Sequence, residues 1–338
     1  MKVVHFISCF ILAFTAALMA EAQDAHYSLP TEAPLTINPA YTGSFTGLAR
    51  AGAAYRNQWS SIGKGAVSYN VYADFRIPTP KRDKEHVQAL GVLIQQDRKG
   101  DLGFGNFHFG VSYALRMKLS RRETLSFGAQ ACYTQSSIKD DHLQWGSQYN
   151  GTAFDPTLGG ERLAYIPTSY ADVAAGISYE KGIGNKTITS EDERWSRIGL
   201  SVYHLTTPNH NSWPQNEDPI EMRYVLQGQF HIGFENTNIA LEPSFLGMMQ
   251  GPAIEAAAGT FVMFEMQQSS RFTGYVDSKH IGFGFFYRWM DAAIPAFMYT
   301  SDRYRVSLSY DITVSKLNRS NGMAGGPEIN FRFILPDM

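Results

Sequence analysis

The feature that most constrains this chain is a period of two in its hydrophobicity, held over long segments. Residues 304–314 set Tyr304, Val306, Leu308, Tyr310, Ile312 and Val314 on one parity, against Arg305, Ser307, Ser309, Asp311 and Thr313 on the other. A strand points alternate side chains to opposite faces, so such a segment is a ribbon with one apolar and one polar side. Strands of globular sheets usually run about 5–6 residues. Segments of this length instead suit the roughly 9–11 tilted residues that cross a bilayer. The pattern recurs at 67–77, 222–234 and 281–289. Fourteen strands are expected in all: 45–59, 65–77, 87–97, 103–119, 123–138, 171–180, 194–205, 221–234, 238–249, 254–265, 279–290, 292–300, 303–315 and 327–335. The segment 292–300 is the weakest, because Pro295 cannot donate to a ladder.

Composition agrees with two-faced strands. Charged residues make up 18% of the chain, against about 25% in soluble domains. Aromatics are abundant, with 22 Phe, 18 Tyr and 5 Trp, yet the mean hydropathy is only -0.23. That average excludes a chain of repeated apolar helices about 20 residues long, and the pattern excludes a coiled coil or a disordered chain. A net charge of -2 gives no pull toward nucleic acid. The expected fold is therefore all-β: a transmembrane up-and-down antiparallel β-barrel of about 14 strands, facing outer-membrane lipid. A soluble sandwich fits less well, because the strands are long and Trp59 and Trp289 end strands on the apolar parity, as interfacial anchors do. With the N-terminus periplasmic, the long joints 139–170 and 206–220 fall on the outside.

The N-terminus reads as an export signal. Lys2 precedes an apolar run from Val3 to Met19, and Ala20-Glu21-Ala22 offers a small-x-small cleavage site. Residues 1–22 are expected to be removed, leaving 23–43 as a periplasmic N-terminal segment and 44–338 as the barrel. Cleavage also removes Cys9, so Cys132 remains without a partner for a disulfide.

By parity the inward face carries Arg50, Arg56, Asp74, Arg76, His108, Arg116, Arg223, His231, Glu242, Glu255, Arg288, Arg305, Asp311 and Arg332. A lumen charge network of Arg56, Asp74, Arg76, Arg288 and Asp311 is expected, with Arg56 pairing Asp74 on the next strand. No catalytic constellation emerges. The histidines lack metal-ligand spacing, and Asp140-Asp141-His142 reads as a solvated outer loop. There is no Gly-x-Ser-x-Gly elbow and no phosphate loop. Cys132 has no positioned base. No cofactor, no metal and no enzymatic activity are expected.

Several blocks carry a family resemblance. Asn38-Pro39-Ala40-Tyr41-x-Gly43, leading to Tyr55-Arg56-Asn57-Gln58-Trp59, closely resembles the PorP/SprF family of Bacteroidetes outer-membrane proteins. Asp74-Phe75-Arg76, Leu241-Glu242-Pro243-Ser244 and Tyr287-Arg288-Trp289-Met290-Asp291-Ala292 continue the likeness. So do Ser309-Tyr310-Asp311-Ile312-Thr313 and Gly325-Gly326-Pro327-Glu328-Ile329, although Pro327 stands where a small or polar residue is more usual. The resemblance implies a non-enzymatic barrel of the type IX secretion and gliding apparatus. It implies association with periplasmic and lipoprotein ring subunits, or help in attaching secreted adhesins, whose C-terminal domains are possible partners. Residues Asn38, Pro39, Ala40, Tyr41 and Gly43, placed at the periplasmic mouth, are expected to offer a docking surface. The alternative function is a diffusion porin or hydrophobic-solute channel.

Overall fold

A computed structural model describes residues 26–78, 85–100, 102–138, 144–160, 165–182, 194–210, 219–234, 237–267 and 277–336. The expected signal peptide 1–22 and the Asp140-Asp141-His142 cluster lie outside them. The strands are β1 (Ala49–Gln58), β2 (Ala66–Ile77), β3 (His86–Lys99), β4 (Phe104–Lys118), β5 (Glu123–Ser137), β6 (Thr168–Lys181) and β7 (Arg194–Tyr203). They continue as β8 (Arg223–Gly233), β9 (Ile239–Gln250), β10 (Ala253–Gln267), β11 (Lys279–Arg288), β12 (Ala292–Ser301), β13 (Tyr304–Thr313) and β14 (Ala324–Leu335). Each pairs antiparallel with its sequence neighbours, and β1 pairs β14, so the sheet closes into a barrel. Closure leaves no unpaired edge, which a hydrocarbon surround would penalise.

Side-chain parity follows the sequence pattern. On β2, Tyr69, Val71 and Phe75 face outward and exposed, while Ser68, Asn70, Tyr72 and Asp74 turn inward and are buried. On β11, Phe283, Phe285 and Tyr287 make the outer band, and Gly282, Phe286 and Arg288 face in. β12 is a complete strand despite Pro295. The proline ring points outward, and the ladder to β13 skips Ile294 and Pro295. Pro243 on β9 has the same effect, with the ladder to β8 skipping Glu242 and Pro243. β14 begins at Ala324 rather than 327 and carries Pro327 within it.

The barrel has two unlike ends. The base holds the start of β1 and the end of β14; the crown holds the joints 138–167 and 204–222. Trp59 and Trp289 follow β1 and β11 at the crown, where Trp289 is 69% exposed and Trp59 half-buried.

The principal correction to the sequence reading concerns the segment before β1. Its described residues, from His26 onward, do not hang free at a mouth but run down the inside of the barrel. Residues 45–48 belong to this segment too, so β1 starts at Ala49. Three short helical turns shape it: Pro30–Glu32, Pro34–Ile37 and Pro39–Tyr41. Each starts on a proline, whose missing N–H is not needed in a first turn. Leu29 packs on Phe261, Met263, Phe286, Ile294 and Met298. Ile37 and Tyr41 pack on Tyr203, Val225 and Leu246, and Leu35 on Tyr72 and Leu93. The hydrophobic core of the molecule is thus the interface between a plug and the wall around it.

Candidate functional site

The plug follows the lumen from crown to base. Near the crown, His26 Nδ1 lies 3.3 Å from Glu255 Oε2 at the start of β10. At the base, the Leu48 N–H donates to Leu335 O at 2.8 Å. Between these ends the wall is carved to receive it.

The Asn38-Pro39-Ala40-Tyr41 turn shows how. Asn38 is fully buried, and its Oδ1 accepts from the Ala40 N–H at 2.8 Å, capping the turn that follows. Its Nδ2 donates to Ile177 O on β6 at 3.1 Å and to Leu200 O on β7 at 3.4 Å. The wall at this level is glycine. A Cβ on Gly176 would collide with the Asn38 carboxamide, one on Gly199 would meet Asn38 Nδ2 at 2.6 Å, and one on Gly128 would overlap the Pro39–Ala40 peptide. Gly128 and Gly176 are direct cross-strand partners, so β5 and β6 together open one shallow seat. Gly43, at φ 71°, uses the left-handed backbone that glycine allows, and its N–H donates to Asp74 Oδ2 at 2.7 Å.

Charges on the wall pair with one another and with the plug. At the base, Arg50 grips Asp74 through Nε at 2.9 Å and Nη2 at 2.8 Å, and Nη2 also donates to Tyr41 O at 3.1 Å. The Arg50 and Arg76 guanidiniums lie 5.0 and 5.1 Å from the Phe45 ring centre, and Arg76 Nε donates to Gly43 O at 3.0 Å. Beside them, Glu180 takes Arg116 at 2.7 Å and Arg197 at 3.0 Å, and also accepts from the Ser44 hydroxyl. Near the crown, Asp311 Oδ2 receives Arg56 at 2.6 Å and Arg288 at 2.5 Å. Its Oδ1 accepts from the Ser28 hydroxyl at 2.5 Å. Glu328 accepts from the backbone N–H groups of Ser28 and Leu29 at 2.5 and 3.1 Å. Burial pushes the phenols of Tyr27 and Tyr41 up, the latter to about 12, so both remain neutral inside the lumen.

The expected network is therefore split in two. Arg56 does not pair with Asp74, because the β1–β2 register sets Arg56 opposite Ser68 and Arg50 opposite Asp74. Arg56 joins Asp311 and Arg288 near the crown, while Asp74 joins Arg50 and the plug at the base. Asn38, Pro39, Ala40 and Tyr41 are buried in the wall seat, with Gly43 beside Asp74, so none of them forms an open docking face. The sequence reading missed Glu180 and Glu328. Glu180 stands on the inward parity of β6, a signal that was available; Glu328 lay one residue inside the expected start of the last strand.

A cavity of about 50 Å³ remains on the crown side of the plug, touched by Thr36, Asp97, His108, Asp172, His204 and Arg223. Such a volume holds a few waters. Asp172 Oδ2 meets His204 Nδ1 at 2.8 Å, and its Oδ1 accepts from the Thr206 hydroxyl at 2.7 Å. Among the described residues, no group of three or more His, Cys, Asp or Glu is placed to hold a metal ion. Cys132 is buried on the lumen side of β5.

Comparison with known proteins gives the family. The model of the type IX secretion system membrane protein PorP/SprF matches residues 19–333. No curated protein matches the chain. Among solved structures it is similar to the TodX monoaromatic hydrocarbon channel (deltaS2 mutant), with 8% identity and a TM-score of 0.45 over 89% of this chain and 93% of that one. It is also similar to BamA from Haemophilus ducreyi lacking POTRA domains 1–3, with 11% identity and a TM-score of 0.43 over 85% of this chain and 69% of that one. The β domain of the Bordetella autotransporter BrkA gives 10% identity and a TM-score of 0.36 over 86% and 99%. A closed barrel with an apolar outer band, matched over nearly its whole length by this family's model, is an outer-membrane protein. The chain belongs to the PorP/SprF family of type IX secretion system membrane proteins.

Proposed function

We propose that this protein is a non-enzymatic scaffold of the type IX secretion system. It is a closed barrel that anchors periplasmic and lipoprotein ring subunits and supports secretion or surface attachment of cargo such as adhesins. The observation that carries this reading is the plug. A solute channel needs a continuous polar path, whereas here residues 26–48 occupy the lumen from crown to base and bond several of the wall charges. With residues 38–43 buried, the surfaces left for partners are the base connections, taken as periplasmic, and the crown joints, taken as external. The short mature stretch before the plug, exposed by cleavage after Ala22, belongs to the same reading.

The test is affinity purification of the full-length protein from its native envelope under mild detergent, with secretion assayed in a strain lacking the gene. Co-purification of ring subunits with loss of secretion is the expected result. Recovery of the barrel alone, with normal secretion in the deletion strain, would contradict the scaffold role.

A further inference from the structure

One lateral row of the wall has a composition that the plug does not explain. Tyr72 on β2 faces Gly52 on β1, Gly52 faces Arg332 on β14, and Arg332 faces Arg305 on β13. All four turn inward. Gly52 contributes no side chain, and the Tyr72 ring lies across the space, with its hydroxyl 2.6 Å from where a Gly52 Cβ would stand. The row thus sets a phenol and two guanidiniums side by side, with the Tyr72 ring filling the space that Gly52 leaves.

The donors are poorly used. The Tyr72 hydroxyl is buried, at 1% exposure for the residue, and has no hydrogen-bond partner among the described residues. Among the described residues, Arg332 is the one lumen arginine whose side chain has neither a hydrogen bond nor an ion pair. Like charges directly opposite on neighbouring strands repel, and Arg305 offers no relief. Its own acceptors are loose: Glu32 Oε1 at 3.4 Å, Glu242 Oε2 at 3.7 Å and Thr300 Oγ1 at 3.4 Å. Asp74 is held by Nε and Nη2 of Arg50 and by the Gly43 N–H. Glu242 is shared with His231 Nδ1 at 3.1 Å. A buried polar group without a partner is costly, and the Tyr72 hydroxyl shares its row with an unpaired guanidinium and a loosely paired one, which together describe an acceptor position.

We propose that Tyr72, Arg305 and Arg332 form a binding site for a small monovalent anion of chloride's size, set in the lumen wall beside the plug. The Tyr72 ring already fills the space over Gly52, so the ligand is a small ion and not a bulky one. Arg332 is only half-buried, so the site can exchange with solvent at the base, three residues from the end of β14. The ion relieves the Arg305–Arg332 repulsion and accepts from the Tyr72 hydroxyl, tying β2, β1, β14 and β13 together across the seam where the barrel closes. Glu32 is the competitor for this position.

Chloride, bromide and gluconate are the probes, with gluconate as the bulky control. The full-length protein in detergent is melted in chloride and in gluconate at equal ionic strength, and crystallised with bromide for its anomalous signal. The expected results are a melting midpoint that rises with chloride concentration and a bromide peak within hydrogen-bond distance of Arg332 and Tyr72. Y72F, which keeps the ring and the packing, should lose most of the chloride dependence, and R332Q all of it. A midpoint equal in chloride and gluconate would overturn the proposal. So would a crystal structure with Glu32 ion-paired to Arg332 and no bromide between Arg332 and Tyr72.

Discussion

Asn38 reaches two strand carbonyls because the strands behind it carry glycine rather than a side chain. Gly176 and Gly199 leave room for its carboxamide, and Gly128 for the peptide that follows. The fit is of shape as much as of hydrogen bonding, so adding bulk should be worse than removing a bond. Gly176→Val forces overlap with a fully buried group and should destabilise the barrel by about 1–3 kcal/mol. Ala175→Val, one residue away and facing outward, should be tolerated. Resistance of the folded band to SDS on heating compares them, and equal resistance would contradict the seat. His26 gives a pH test. Burial, then the Arg56 and Arg288 guanidiniums, hold its ring below the ordinary value, outweighing the carboxylate of Glu255. A base whose folded pKa is depressed contributes stability that is complete above its unfolded value, near 6.5. That contribution is lost as pH falls below this value toward the folded one. Between pH 7 and 5 the wild-type melting midpoint should therefore fall further than that of His26→Gln. Parallel curves would show that the ring is not held neutral in the lumen.

At the scale of elements, much of the barrel was legible in the sequence and the plug was not. Alternation is a local signal, and lipid on one side with polar lumen on the other imposes it on every strand, so strand positions and inward parities could be read. Register could not be read as safely. It placed Arg56 opposite Ser68 rather than Asp74, because the pairing depends on the centre of the 59–65 turn and not on the attraction of opposite charges. The plug has no period, since a short chain of helical turns enclosed by a wall is buried on all sides. Leu35, Thr36, Ile37 and Asn38 face different strands rather than one. Its partners are also distant, with Ser28 bonded to residues some 300 positions away. The motif Asn38-Pro39-Ala40-Tyr41 was visible, but its meaning required the glycines on β5, β6 and β7. Proline within strands is the other feature that only pairing explains. Pro295 faces outward, and the β12–β13 ladder is interrupted at it. Pro295→Val should restore a donor and raise stability by about 1 kcal/mol, read as a higher melting midpoint. An unchanged or lower midpoint would show that the interruption is set by the β13 side.

At the scale of the whole molecule, the plug turns a fourteen-stranded barrel into a solid body with a lipid-facing surface and two ends. The N-terminal segment is part of the fold, since wall carboxylates near the crown and at the base accept directly from its backbone N–H groups. Displacing it would strand Asp74 and Glu328 without those donors, at a cost of about 1–3 kcal/mol for each unsatisfied group. The closed state is therefore the resting state and not one of two easily exchanged positions. The central claim is that the lumen does not conduct, and single-channel recording in planar bilayers tests it most directly. Full-length protein should give no steady current across the membrane, and a variant lacking residues 26–47 that still inserts as a heat-modifiable barrel should conduct. A steady, large conductance from the full-length protein without any partner would contradict the account.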